Sequence, residues 1–186
     1  PLYTMLGANR MNNLEHNCNV KGASYFNSFE ILGRKPVAGL TGSDEGVLLS
    51  DDFNFRMKAD PNMWELTNKT LFNGRVDKDC GSVSGGSLHF HTAGERVATT
   101  TDVDVQKGAE IDFYIRFGSG MKNTGVIQTS CTALNPFQTP ADGVELQYED
   151  ETGSWHNIVR YDAPTFASEF VNFTKITLRL DADGPE

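Results

Sequence analysis

Residues 110–117 read Glu-Ile-Asp-Phe-Tyr-Ile-Arg-Phe, so Ile111, Phe113, Ile115 and Phe117 fall on every second position and Asp112, Tyr114 and Arg116 fall between them. A strand turns successive side chains to opposite faces, so this stretch predicts a strand with one buried and one wetter face. Ile176, Leu178 and Leu180 against Thr177, Arg179 and Asp181 repeat the pattern, as do Val144, Leu146 and Tyr148 against Glu145 and Gln147. No window carries a comparable helical period over ten or more residues. Half-polar strands separated by turns point to antiparallel sheets with solvated outer faces, and the expected fold is an all-β antiparallel sandwich or jelly roll.

Working outward, the other expected strands are Val47–Phe53, Trp64–Thr67, Ser87–Phe90, Arg96–Thr99 and Trp155–Arg160, with a further short one at Ser24–Leu32. Residues 1–46 differ in texture, being rich in Asn and Gly with apolar residues in small clusters. The run GRKPVAGLTGSDEG, residues 33–46, reads as a turn-rich connector. These 46 residues hold too few apolar groups for a core of their own and are expected to form an irregular N-terminal extension or a small accessory module packed on a domain spanning 47–186. Residues 121–142 read as a long irregular excursion between two strong expected strands, the kind of segment expected to be a functional or disulfide-tethered loop.

The 186 residues carry a net charge of −9, with a sequence pI near 4.9. That balance argues against nucleic acid or an anionic membrane as partner and leaves cations and basic protein surfaces open. No apolar run approaches the length needed to span a bilayer, so direct membrane insertion is not expected. Two N-glycosylation sequons, at Asn68 and Asn172, lean toward a secreted or cell-surface location. Cys18, Cys80 and Cys131 are too few for a disulfide-dense scaffold. Their odd number implies a free thiol, an intermolecular bond or a partner outside this chain.

Candidate chemistry is sparse. Asp51 and Asp52 stand where a strand ends, and hard carboxylates there suit either a calcium ion or a solvated acidic turn. Asp102 with Asp104, and Asp181 with Asp183, pose the same choice. His89 and His91 share a side of their strand, which fits a shared transition metal or a sheet-packed pair, with no third ligand in sight. Ser84-Gly85-Gly86 lacks the nucleophile-elbow pattern, and no catalytic constellation stands out, so an enzyme is not expected. Trp64 and Trp155 read as core or sheet-packing groups. Tyr114, on the more polar side of its strand, is the best placed ring for a sugar platform.

From Val47 onward one ordered set of landmarks resembles the reelin-type repeat. It comprises LLSDDFNF, DPNMWELTN, Cys80-Gly81 followed by SGGSLHF, ERVATTTDVDV, IDFYIRFGSG, Cys131, GVELQYEDETGSWHNI and YDAP. The sequence is most similar to the module that follows a reeler domain. The resemblance implies a jelly roll and a structural calcium held at Asp51 and Asp52. It further implies a Cys80–Cys131 disulfide and, where the resemblance extends to the complete module and not to the fold alone, further core strands after LRLDADGPE from another chain or cleavage fragment. The expected role is protein recognition or architecture in a larger extracellular assembly, through a protein partner or neighbouring modules. A carbohydrate-binding jelly roll is the alternative, with glycans as ligands.

Overall fold

The computed structural model describes residues 4–9, 22–33, 46–54, 59–67, 73–77, 81–91, 96–103, 105, 108–119, 143–181 and 184–185. Its strands are β1 (Thr4–Asn9), β2 (Gly22–Gly33), β3 (Val47–Asp51), β4 (Trp64–Thr67), β5 (Asn73–Asp77), β6 (Ser87–His91), β7 (Arg96–Thr100) and β8 (Ala109–Ser119). They continue as β9 (Gly143–Glu149), β10 (Trp155–Asp162), β11 (Thr174–Asp181) and β12 (Gly184–Pro185). A short helix α1 (Ala163–Phe166) and a 3-10 turn (Glu169–Val171) link β10 to β11.

The strands pair antiparallel throughout and form two sheets. One runs β10-β9-β1-β7-β4; the other runs β12-β11-β8-β2-β6-β5, with β3 also on β2. The expected all-β sandwich is therefore the observed fold, and each expected strand appears within two residues of its anticipated bounds.

The alternation that predicted β8 does its work in the core. Ile111, Phe113, Ile115 and Phe117 are buried, while Asp112, Tyr114 and Arg116 between them are half-buried. Phe113 packs on Phe26 and Phe29 of the adjacent β2. Across the sandwich, Trp64 of the five-stranded sheet meets Phe29 edge-to-face, with ring centroids 5.2 Å apart and planes at 72°. Phe170, from the 3-10 turn, plugs one end by meeting Phe117 and Tyr161 edge-on. Such edge-to-face contacts add to the apolar burial that holds the sheets together.

Strands from residues 1–46 take part in both sheets. β1 lies between β9 and β7 in the middle of one sheet, and β2 lies between β8 and the β6 and β3 pair in the other. Phe26, Phe29 and Ile31 of β2 are fully buried in the shared core. These residues are too few to make a core alone because they complete a core built largely by later strands.

Candidate functional site

Two places on the sandwich gather polar side chains around residues that the sequence singled out. The first lies at a kink in β2. β8 pairs along one edge of β2, with a register shift between Asn27 and Glu30. The other edge is shared, β6 pairing residues 23–26 and β3 residues 29–32. At the changeover Ser28 has φ of +49°, a conformation uncommon for a residue with a Cβ. The fully buried Asn27 holds this kink. Its Oδ1 accepts from the Val83 and Ser84 N–H groups at 2.9 and 3.0 Å, and its Nδ2 donates to the Ser84 and Gly86 carbonyls.

The same corner receives the end of β3. Asp51 Oδ1 accepts from Phe53 N at 2.8 Å and Oδ2 from Trp64 Nε1 at 3.0 Å. Phe53 sits at φ +54°, so the Asp51 carboxylate fixes an unusual backbone turn and orients the core tryptophan together. The Gly86 N–H donates to the Asp52 carbonyl. Gly85, at φ +53°, lies so close that a Cβ there would stand 2.2 Å from the Asp52 carbonyl oxygen. The glycines of Ser84-Gly85-Gly86 thus serve backbone contact.

Asp51 and Asp52 are the carboxylates at this corner that the sequence offered to calcium. Among the described residues, no three His, Cys, Asp or Glu side chains converge in a way that holds a metal. A calcium shell of six to eight oxygens here would have to draw on carbonyls and water as well. Asp102 is exposed, and Asp104 and Asp183 lie outside the described residues. His89 is fully buried within a segment, Ser87–Phe90, that is buried throughout, so its strand is covered on both faces; the His91 side chain lies outside the described set. Cys18, Cys80, Cys131 and Asn68 also lie outside it, and Asn172 is exposed.

The second place is the outer face of the β9–β10 hairpin, with β10 at the sheet edge. Register sets Trp155 opposite Glu149, Asn157 opposite Gln147 and Arg160 opposite Glu145. A bulge between Asn157 and Val159 absorbs one residue, which keeps Arg160 on the face of Trp155 and Asn157 and turns Val159 and Tyr161 inward. Gln147 Nε2 donates to Asn157 Oδ1, and the Arg160 guanidinium donates to the Glu145 carboxylate. The result is a connected row of planar polar groups beside an indole that is 36% exposed.

Trp155 is therefore a surface group, contrary to the sequence expectation of a packed one, because the strand opens straight out of its turn with the ring on the outer face. Tyr114, the ring favoured from the sequence, is half-buried and lies in register with Lys175, whose ammonium pairs with Asp112 at 2.7 Å. The place of Trp155 and Asn157 on the outer face follows from their pairing with Glu149 and Gln147, while the bulge after Asn157 hides from the sequence that Arg160 joins them.

The hairpin turn is itself closed by hydrogen bonds to Asp150. Asp150 Oδ1 accepts from Thr152 N, Thr152 Oγ1 and Ser154 N, at 2.8, 2.6 and 3.0 Å. Its Oδ2 lies 2.7 Å from His156 Nε2. The His156 ring stacks on Tyr148, with centroids 5.0 Å apart. The Thr152 hydroxyl, followed by His156 and the Ser154 N–H, holds the Asp150 carboxyl far below the usual carboxylate range. Asp162, the N-cap of α1, is also lowered, first by the Thr165 hydroxyl. Burial pushes the Tyr161 phenol up to about 12.

This geometry defines a two-sheet β module whose polar side chains brace loops and present a fixed surface. The family model of reelin subrepeat B matches residues 73–184, more than half of the chain, and the chain belongs to that family. The reelin-type reading of the sequence is thus correct, and the family is one of non-catalytic, extracellular-type structural modules. No solved structure matches the chain. No helix among the described residues is long and apolar enough to cross a membrane.

Proposed function

We propose that this chain is a recognition or architectural module of a larger secreted or cell-surface assembly, joined to a protein partner or neighbouring modules through the outer face of β9 and β10. The observation that carries this reading is the row Glu145, Gln147, Asn157 and Arg160, held by its own hydrogen bonds beside exposed Trp155. Side chains already fixed in place lose little freedom on binding, and Trp and Arg are the residue types that anchor protein contacts. Calcium at Asp51 and Asp52 belongs to the same proposal as a brace for the β2–β3–β6 corner. So does a Cys80–Cys131 disulfide.

Carbohydrate binding is the second reading, favoured by the same indole next to an amide pair, a combination that suits a sugar ring and its hydroxyls. Binding of the secreted chain to cells and matrix separates the two. Loss of binding after protease treatment of the target and on Trp155→Ala supports the protein-recognition reading. Loss after glycosidase treatment, with protease treatment harmless, moves the function to glycans. Equal binding by Trp155→Ala, Asn157→Ala and the unaltered chain would overturn both assignments to this face.

A further inference from the structure

Of the two sequons, Asn172-Phe173-Thr174 lies wholly within the described residues, and the structure gives it the properties of an acceptor. Asn172 is exposed and follows the 3-10 turn, two residues before β11 begins. Its backbone is extended, at φ −119° and ψ 166°. The flanking residues fix this stretch without enclosing it. Phe170 is fully buried at the end of the sandwich, and the half-buried Phe173 ring has the Arg116 guanidinium 5.9 Å above it. The Thr174 hydroxyl donates to the Glu169 and Asn172 carbonyls at 3.1 and 3.2 Å. Those bonds use the Asn172 main chain, and no described residue takes up its side-chain amide. A branched sugar on Asn172 would therefore project from the surface with no ladder broken and no core residue displaced.

We infer that Asn172 carries an N-linked glycan, an inference that rests on the extracellular reading of the chain. The donor is an oligosaccharide linked through diphosphate to a membrane lipid, and a luminal transferase joins the two. The Asn172 Nδ2 forms a bond to the anomeric carbon as the bond from that carbon to the diphosphate oxygen breaks. The lipid diphosphate departs, the Nδ2 proton passes to a carboxylate of the transferase, and nothing is oxidised or reduced. The Thr174 hydroxyl is the sequon group the transferase reads before β11 pairs with β8.

The position also bears on docking. Asn172 follows Phe170, whose ring meets Tyr161 near the end of β10, whereas Trp155 opens that strand, roughly 23 Å from Asp162 at the rise of an extended chain. A glycan at the α1 and 3-10 corner keeps a neighbouring protein off that end and leaves the β9–β10 hairpin tip accessible.

The test is to secrete the full chain from eukaryotic cells behind a signal sequence and remove N-glycans enzymatically in heavy-oxygen water. Peptide 161–175 is then read by mass spectrometry. Conversion of Asn172 to a heavy-oxygen Asp is expected. The corresponding gel shift should vanish in Asn172→Gln and Thr174→Ala and persist in Thr174→Ser. Secreted chain with an unmodified Asn172 would overturn the inference whatever the natural location of the protein. Natural protein found only outside the secretory route would overturn the extracellular reading instead, while the signal-directed chain still reports on the acceptor.

Discussion

Replacing Asn27 by Ala tests the reasoning about the β2 kink most sharply. The side chain is fully buried. It accepts from the Val83 and Ser84 N–H groups and donates to the Ser84 and Gly86 carbonyls. An unmet buried polar group costs about 1–3 kcal/mol. Val83 and Ser84 are exposed, so water can reach part of what Asn27 leaves behind, whereas Gly86 is buried and its carbonyl is stranded. Adding one stranded carbonyl to a partly hydrated remainder gives an expected loss of about 2–4 kcal/mol. Asn27→Asp should do no better at neutral pH, since a charged oxygen would replace Nδ2 against two carbonyls. Acid should narrow the gap between Asp and Asn as the carboxyl gains a proton to donate. Urea unfolding followed by tryptophan emission and far-ultraviolet dichroism measures both. A loss below about 1 kcal/mol for Asn27→Ala, with coincident transitions, would refute the claim that this residue braces the corner.

Three further outcomes follow from the same contacts. Gly85→Ala should destabilise by about 1–3 kcal/mol, since it sets a Cβ against the Asp52 carbonyl at a positive φ; urea midpoints would show it. The folded Asp150 carboxyl titrates below its ordinary value of 3.8, so its pairing stabilises the turn above that value and is lost only as pH falls through the lower folded one. Carbon NMR of the Asp150 carboxyl should therefore show it ionised below pH 3.8, and Asp150→Asn should speed amide exchange at Thr152 and Ser154. If calcium is held at Asp51 and Asp52, added calcium should raise the melting temperature of the unaltered chain and not of Asp52→Ala; no rise across micromolar to millimolar calcium counts against that site.

The regular alternation of residues 111–117, 144–148 and 176–180 made the main strands legible, because burial on one side leaves a period of two in the sequence. β1 and β5 escaped notice for a physical reason. Thr4–Asn9 and Asn73–Asp77 are short and include Gly and Asn, residues that read as turns, and β1 pairs with strands far along the chain. Asn27 was not singled out: a polar residue inside Tyr-Phe-Asn-Ser-Phe interrupts an apolar run, yet its partners at residues 83–86 are set only by the fold. Asp51 was offered as a calcium ligand; its bond to Trp64 Nε1 depends on β3 and β4 meeting in space, which spacing does not reveal.

The most direct test of a module working within a larger assembly is intact, non-reducing mass spectrometry of the chain from its natural source, with everything that co-purifies and with chemical cross-links mapped. The account predicts a tight or covalent companion, a neighbouring module or a second protein, cross-linked near the β9–β10 face and absent from the Asn172 corner. A lone, monodisperse chain without intermolecular cross-links would contradict it.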